Sequence, residues 1–288
     1  MITYARSESV WGKFEGYPHN PVLTNRNKAP FIIQGIGHGD LIQDKNGEWH
    51  IICLGFRQIH MWMTYHHLGR ECFLIPVTFH KDGWFTAGNG TCEESYELSG
   101  DFAQLPLKTY TLENIGHDIC HLRHPHTENY SITKDKITLK GTDVTLDDVA
   151  SPTFAGVRQR DFDMDCSVSV SVSDGEGGLT VYSCETEHYD LALRKNESGY
   201  EAILRLNIGG IRHVEKAVQI PSGSAKLIIR SDSQVYKFFV QSQGEEIPMG
   251  FAMSKYLSSE VCGGFTGTVI GMYAVKGSAE FTDLRISY

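Results

Sequence analysis

The sequence lacks long apolar runs and clusters of positive charge, and both absences restrict its partners. No hydrophobic stretch reaches the length of a membrane helix, and residues 1–6 contain no apolar core of a signal peptide. The 26 lysine and arginine residues are scattered, and 35 acidic residues leave a formal net charge of −9. We therefore expect no membrane partner, no nucleic-acid partner and a cytoplasmic protein.

Paired cysteines are also missing. The seven cysteines are an odd number, lie far apart and form no CxxC motif. Several lie in apolar runs, as Cys53 does in residues 51–54, so we expect free thiols that are buried as small apolar side chains in a reducing compartment. The sequence also contains no Gly-rich phosphate loop, serine nucleophile elbow or HExxH motif, so none of these motifs assigns a reaction to the chain.

Helical periodicity is nearly absent, and two-residue alternation takes its place. Residues 166–173, CSVSVSVS, alternate between apolar and polar side chains, and further short strand patterns follow at intervals of about ten residues with Gly, Asn and Ser between them. This spacing is typical of an antiparallel β-sandwich. We place a domain boundary between residues 105 and 106, with the sandwich in residues 106–288.

Residues 1–105 are also predicted to be β-structure, but in successive hairpins. Asn46-Gly47 and Asp82-Gly83 are hairpin turns between strand patterns that each carry an aromatic residue, which is typical of propeller blades. Residues 2–6 are predicted to form a strand with nothing before it to pair. Only about two and a half blades fit into this region, whereas a closed propeller has about four to eight.

Two polar residues in the first domain are candidates for a site. His38 lies among three glycines in GIGHGD, directly before a strand, where close approach of other backbone is easy. Arg70 follows Gly69 at the start of another strand and can project its five N–H donors into a cavity. Taken singly, a structural histidine and a surface ion pair in Gly-Arg-Glu are the more common roles of such residues.

Read together, these segments resemble family 43 glycoside hydrolases of the β-xylosidase and α-L-arabinofuranosidase type. The stretches that carry the resemblance are ARSESVWGKFEG (5–16), PHNPVLT (18–24), GHGDL (37–41), YHHLGRE (65–71), DGW (82–84), ENYS (128–131), SPTF (151–154), RQ (158–159) and GFTG (264–267). Their order and spacing extend over essentially the whole chain.

The resemblance implies an all-β fold, in which the last blades of a five-bladed propeller precede an antiparallel concanavalin-like sandwich. Members of the family invert the anomeric carbon with an Asp base, a Glu acid and a second Asp that tunes the acid. Inversion needs two carboxyl groups about 6.5–9.5 Å apart, which leaves room for the attacking water. By resemblance, Met1 falls inside the fourth blade and all three carboxylates precede it, so we expect no turnover by this chain alone.

Three residues match supporting positions of the family. His38 matches a histidine of the central channel that orders the site, in some members through water or a calcium ion, although no cofactor is required. Arg70 matches an arginine that binds a sugar hydroxyl and influences the pKa of the acid. Phe265 matches an aromatic residue of a sandwich loop that closes the sugar pocket in relatives, the alternative being an aromatic residue of the core.

These observations favour three hypotheses. In the first, the chain is part of an exo-acting glycosidase for xylo- or arabino-oligosaccharides, completed by an N-terminal propeller segment on another chain. In the second, the sandwich binds carbohydrate or makes contacts within a homo-oligomer without catalysis. In the third, the chain is a truncated product whose unpaired propeller edge self-associates.

Overall fold

Strands dominate the described parts of the chain, which are residues 1–29, 31–97 and 109–288 of the computed structural model. The helices in these ranges are single turns: Gly116–Asp118, Thr127–Asn129 and Ser254–Leu257 are 3₁₀ turns, and α1 (Ser259–Cys262) is α-helical. The prediction of an all-β chain is therefore confirmed. None of these helices has the length and apolar character to cross a bilayer.

Two compact units make up the chain, Met1–Leu105 and Pro106–Tyr288. The predicted boundary between residues 105 and 106 falls in the stretch 98–108, outside the described residues. The described strands of the first unit are β1 (Ala5–Arg6), β2 (Glu15–Gly16), β3 (Ile33–Gln43), β4 (Trp49–Arg57), β5 (Glu71–Phe79) and β6 (Phe85–Ala87). The last four form one antiparallel sheet in sequence order, and β1 pairs with β2 in a separate sheet.

Both predicted hairpin turns of this unit are present. Gly47, between β3 and β4, has φ +87°, and Gly83, between β5 and β6, has φ +77°. Glycine adopts these left-handed angles without a steric penalty, which explains its position in both turns. The carboxylate of Asp44 accepts hydrogen bonds from the backbone N–H groups of Asn46 and Glu48 at 2.8 and 2.9 Å and so stabilises the first turn.

The predicted strand at residues 2–6 and the expected two and a half blades are wrong in detail. The strand β1 has only two residues, and it pairs with β2, which follows it in the chain. Ile2 forms an isolated bridge with Leu23. Residues 17–29 contain two prolines and residues 58–70 several turns, so these stretches add loops instead of further blades. The described residues hold one four-stranded blade and a hairpin.

One face of the blade forms the core of the first unit. Ile51 and Cys53 of β4 and Ile75 of β5 are buried there against Leu23. Tyr4 attaches the N-terminal segment to this core, since its ring stacks on Phe85 with 3.9 Å between centroids. Its hydroxyl donates a hydrogen bond to the Phe85 carbonyl and accepts one from the Phe85 N–H, both at 2.8 Å.

The second unit is a sandwich of two antiparallel sheets. Its strands are β7 (Tyr110–Thr111), β8 (Tyr130–Ile132), β9 (Ile137–Gly141), β10 (Thr153–Arg158), β11 (Met164–Val172), β12 (Glu176–Cys184), β13 (Glu187–Asn196), β14 (Gly199–Ile208), β15 (Ile211–Ile220), β16 (Ser224–Ser231), β17 (Val235–Ser242), β18 (Glu245–Met253), β19 (Val269–Val275) and β20 (Gly277–Ser287). A six-stranded sheet has the order β10-β19-β12-β13-β14-β15. An eight-stranded sheet has the order β18-β17-β16-β11-β20-β9-β8, with β7 also paired to β20.

Alternation along β11 places its apolar side chains in the core between the sheets, as predicted. Cys166, Val168 and Val170 are buried there. Burying one valine contributes about 1.5–3 kcal/mol relative to leaving it exposed, so the many buried positions of both sheets supply the main driving force for this unit. No disulfide assists, because all seven cysteines are free.

The outer face of the six-stranded sheet carries a buried charged cluster. Asp190 on β13 is fully buried and lies opposite Arg205 on β14 in the strand register. Arg205 donates from Nε to the Asp190 carboxylate at 3.0 Å and from Nη2 to Glu176 at 2.6 Å. Tyr273 donates its hydroxyl to Glu176 at 2.7 Å. The opposite charges of Arg205, Asp190 and Glu176 thus compensate one another within the fold.

His188 extends this cluster to a loop that covers the sheet. Its Nδ1 lies 2.9 Å from the carboxylate of Asp190, and its Nε2 lies 3.3 Å from that of Asp147 in the loop. Burial lowers the pKa of His188, but the two carboxylates outweigh this effect and raise it to about 9. For Asp190, burial favours the neutral acid, but His188 and Arg205 together hold its pKa below the ordinary value.

Asp190→Asn tests the energetic role of the cluster. Loss of the charge leaves Arg205 and His188 with reduced compensation in a buried site, so we expect the free energy of unfolding to fall by about 3 kcal/mol or more. Hydrogen exchange of β13 and β14 amides measures the change in this unit. Asp165→Asn is the control, since Asp165 forms an exposed pair with Arg230 at 3.3 Å and its loss costs about 1 kcal/mol or less. Equal effects of the two substitutions would contradict the assignment.

The stability of the second unit should depend on pH through His188. A folded-state pKa of about 9, raised from 6.5, means that the stabilisation is complete below pH 6.5 and is lost as the pH rises through 9. We therefore expect faster exchange of the β13 and β14 amides at pH 9.5 than the intrinsic pH effect explains. His188→Gln should remove this excess, and an unchanged excess in that variant would refute the prediction.

Candidate functional site

His38 occupies an irregular part of β3. The pairing of β3 with β4 shifts twice, between Gln34 and Gly37 and between Gly37 and Asp40. Within this interval His38 has φ +52°, and its side chain is exposed. Positive φ is uncommon for residues other than glycine and costs about 1–3 kcal/mol where the surroundings impose it. The fold thus holds the imidazole away from the regular strand direction.

Two of the three glycines around His38 are explained by close packing. At Gly35, which has φ +66°, a Cβ would lie 2.1 Å from the Phe56 ring, and at Gly39 it would lie 2.5 Å from Ile2. A Cβ at Gly37 would meet nothing nearer than 4.0 Å. Gly35 is therefore required by its positive φ and the Phe56 ring, whereas at Gly39 the end of the Ile2 side chain would have to shift and at Gly37 nothing is close.

Arg70 lies directly before β5 and is exposed. It follows Gly69, whose φ of +73° reverses the chain into the strand. The neighbouring carboxylate of Glu71 accepts hydrogen bonds from Arg57, with Nε–Oε2 and Nη2–Oε1 distances of 3.0 Å. This bidentate pair fixes the start of β5 and with it the backbone position of Arg70.

The strand register brings the backbones of His38 and Arg70 to one end of the blade. Gly37 on β3 and Cys72 on β5 both pair with Leu54 on the strand between them. That end is where β4 finishes and β5 begins. His38 and Arg70 thus lie at the same end of the sheet, and an imidazole and a guanidinium can bind sugar hydroxyls by hydrogen bonds.

His66 and His67 support the segment that leads to Arg70. His66 stacks on Phe56 with 3.8 Å between ring centroids, and His67 is fully buried. Burial lowers the pKa of His67 to about 3, so the ring is neutral at ordinary pH. In residues 1–29, 31–97 and 109–288, no group of three or more His, Cys, Asp or Glu side chains is arranged to hold a metal ion.

Phe265 lies in the second unit, in the loop between α1 and β19. It is 58% exposed, so it is not an aromatic residue of the sandwich core. The preceding Gly263 and Gly264 have φ of +73° and +74°, and a Cβ at either would meet open space. The loop therefore depends on the conformational freedom of glycine and not on close packing.

The second face of the blade carries apolar side chains in contact with solvent. Ile52 on β4 and Leu74 on β5 pair in the register and are 37% and 39% exposed. Ile42 on β3 is 38% exposed, and Cys72 is exposed beside them. We call Ile42, Ile52, Cys72 and Leu74 the apolar blade face. The exposed Cys72 also corrects the prediction that the thiols are buried.

Sequence reasoning missed the apolar blade face, although a signal for it exists. The run IICLGF within β4 is apolar on both faces of the strand, which is typical of strands that are covered on both sides. A strand with one wet face alternates instead, as β11 does. The charged cluster of the sandwich was missed too, because its members come from strands far apart in sequence.

Comparison with known families agrees with the architecture. Residues 1–85 match glycosyl hydrolases family 43, and residues 108–285 match the β-xylosidase C-terminal concanavalin A-like domain. The predicted order, propeller blades followed by a sandwich, is therefore confirmed.

Curated relatives and solved structures cover almost all of the chain. It is 35% identical over 282 residues to a non-reducing end α-L-arabinofuranosidase of Bacteroides ovatus, which covers 93% of this chain and 53% of the relative. A xylosidase/arabinosidase of Butyrivibrio fibrisolvens is 25% identical, with 95% and 55% covered. The chain thus spans about half the length of the curated relatives it matches.

Two solved structures show the same fold. A Bacteroides ovatus protein described as xyloglucan PUL GH43B superposes with a TM-score of 0.87 at 34% identity, covering 98% of this chain and 59% of that one. The GH43 protein BlXynB from Bacillus licheniformis gives a TM-score of 0.90 at 25% identity, with 99% and 60% covered. The two family matches, the relatives and the shared fold lead to one conclusion: the chain belongs to glycosyl hydrolase family 43.

Proposed function

We propose that this chain supplies the sugar-binding part of a family 43 glycosidase for xylo- or arabino-oligosaccharides, and that propeller residues outside 1–288 supply the catalytic carboxylates. The observation that carries the proposal is the placement of His38 and Arg70 at one end of a blade in a chain of this family. The printed activities of its relatives, arabinofuranosidase and xylosidase/arabinosidase, give the substrate class.

In this proposal each residue has a binding role. Arg70 donates hydrogen bonds to a sugar hydroxyl and, as a fixed positive charge, lowers the pKa of a nearby carboxylic acid. His38 orders the site through a hydrogen bond from its exposed ring. Phe265 covers the sugar with an apolar surface. None of the three can act as the pair of opposed carboxyl groups that inversion requires.

Calcium and homo-oligomer formation remain predictions. Calcium takes six to eight oxygen ligands, and an imidazole supplies none, so His38 would hold the ion through bound water. The described residues contain no acidic cage for it. A homo-oligomer would cover exposed apolar surface of the chain.

The apolar blade face is proposed as the docking surface for the missing part of the propeller. Ile42, Ile52 and Leu74 are partly exposed on one face of the sheet, and Ile52 and Leu74 are direct neighbours there; exposed apolar surface is unfavourable in water. The chain spans only 53–58% of the lengths of three curated relatives, so their remaining length includes residues that could cover this face.

A purely sugar-binding sandwich is the weaker alternative. Sugar-binding sheets present several exposed aromatic side chains on one surface. Among residues 109–288, the exposed aromatic side chains are Phe251 on β18 and Phe265 in its loop. The outer face of the six-stranded sheet is closed by its own charged cluster and by Leu146 of the covering loop. These features do not favour a sandwich that binds carbohydrate by itself.

A chimera tests the site directly. Residues 1–288 replace the matching part of the Bacteroides ovatus arabinofuranosidase, and hydrolysis of nitrophenyl arabinofuranoside and xyloside is measured. The chimera should turn over substrate, whereas residues 1–288 alone should not. Arg70→Ala should lower kcat/KM by about 10- to 200-fold, because a charged hydrogen bond is worth about 1.5–3 kcal/mol.

Arg26→Ala is the matched control, since Arg26 is also an exposed arginine of the first unit. It should leave kcat/KM unchanged. Phe265→Ala should act mainly on KM. A folded chimera without turnover, turnover by residues 1–288 alone, or equal effects of the two arginine substitutions would each contradict the proposal.

Substitutions that introduce a negative charge on the apolar blade face test whether the missing propeller segment docks there. Leu74→Asp and Ile52→Asp should leave the folded chain intact, because both side chains are partly exposed in it. Mixed with a separate polypeptide that carries the first propeller blades of the relative, the variants should bind at least about tenfold more weakly, as buried aspartate is costly. Calorimetry measures the affinity.

Ile211→Asp serves as the control for docking, because Ile211 is exposed in the second unit on β15. It should bind the partner segment like the original chain. Equal binding by Leu74→Asp and the original chain would show that another surface receives the segment.

A further inference from the structure

Two cysteines of the sandwich meet at the base of the Phe265 loop. Cys184 is the last residue of β12, and Cys262 is the last residue of α1. The register of β12 with β13 shifts between Tyr182 and Cys184. Beside this bulge, the Ser183 hydroxyl lies 2.9 Å from the Cys262 sulfur, so Cys262 packs against the residue that directly precedes Cys184.

The two thiols differ in their surroundings. The Cys262 S–H donates to the backbone carbonyl of Ser258 at 2.9 Å, while the Cys184 S–H donates to the Glu187 carboxylate at 2.8 Å and its sulfur lies 3.5 Å from the Thr186 hydroxyl. The neighbouring Cys262 thiol lowers the pKa of Cys184, against the effects of burial and of the Glu187 carboxylate. The pKa of Cys262 is raised by the same contact and by burial. Cys184 is therefore the better nucleophile of the pair.

The other five cysteines lack this arrangement; Cys120 is half-buried and donates its thiol to the Gly156 carbonyl at 3.2 Å. Cys53, Cys92 and Cys166 are buried in cores, and burial raises the pKa of Cys53 to about 11 and that of Cys92 to about 12. Cys72 is exposed but lies in the other unit, on the apolar blade face. Both members of the Cys184–Cys262 pair are half-buried, so a small oxidant can reach them.

We propose that Cys184 and Cys262 form a redox-sensitive pair that a peroxide converts into a disulfide at the base of the Phe265 loop. The Cys184 thiolate attacks one oxygen of hydrogen peroxide, which breaks the O–O bond, gives a sulfenic acid on Cys184 and releases hydroxide. The Cys262 thiol then attacks the Cys184 sulfur, loses its proton, and expels the sulfenic oxygen as water. Overall, two thiols and one peroxide give one disulfide and two water molecules.

The position of the pair gives the disulfide a consequence for the loop. Cys262 lies three residues before Phe265, and the glycines between them meet no close neighbours. In the reduced chain, α1 is attached there by hydrogen bonds of Cys262 to Ser183 and Ser258. A covalent bond to β12 would restrict the start of the loop and so reduce the range of positions that Phe265 can reach.

Peptide mapping after peroxide treatment tests the proposal on the full chain. The protein is exposed to hydrogen peroxide, remaining thiols are blocked with N-ethylmaleimide, and the digest is analysed by mass spectrometry without reduction. We expect a linked peptide that contains Cys184 and Cys262 and has lost two hydrogen atoms. Dithiothreitol should restore both thiols. In Cys262→Ser, Cys184 should instead be trapped as a sulfenic acid by dimedone.

Cys72→Ser is the matched control, because it removes an exposed thiol outside the pair, and the linked peptide should form as before. Hydrogen exchange of residues 263–267 should slow after oxidation of the original chain, but not of Cys184→Ser. The proposal is overturned if both cysteines are recovered as separate maleimide adducts after peroxide has modified Cys72. It is equally overturned if the disulfide forms without any change of exchange in the loop.

Discussion

The first unit is governed by one physical constraint: its central strand is apolar on both faces, and apolar surface on both faces must be covered. Ile51 and Cys53 of β4 are buried on one side, whereas Ile52 on the other side remains in contact with solvent together with Leu74 and Ile42. In water this second face is unfavourable, and a blade of a larger propeller resolves the conflict by packing against the next blade. The proposed completion of the fold and of the active site both follow from this constraint.

The candidate site has the same dependence on neighbouring blades. Its ordering elements, the left-handed backbone at His38 and the Arg57–Glu71 pair beside Arg70, belong to a single sheet. They fix the backbone positions of His38 and Arg70. Hydrolysis with inversion also needs two carboxyl groups on opposite sides of the sugar. In the proposed enzyme, binding and proton transfer are thus divided between parts of the propeller. In the second unit, Phe265 lies exposed in a glycine-dependent loop.

Much of the architecture could be predicted from local patterns. The alternation of β11 and the Asn46-Gly47 turn are local features, so they predict strands and hairpins correctly. The number of blades could not be derived, because residues 17–29 and 58–70 form loops and turns instead of the further strands that two and a half blades would need. The charged cluster depends on strand register, which places Asp190 opposite Arg205, and the cysteine pair depends on the packing of α1 against the end of β12; no spacing rule reveals either arrangement.

The thiol of Cys72 permits the most direct test of the central claim, because it lies on the apolar blade face beside Leu74. Its rate of alkylation by a maleimide can be compared between residues 1–288 alone and the same residues within an active family 43 chimera. We expect rapid labelling in the isolated chain and at least about tenfold slower labelling in the chimera, since packed blades exclude the reagent. Equal rates in the two proteins would contradict the account.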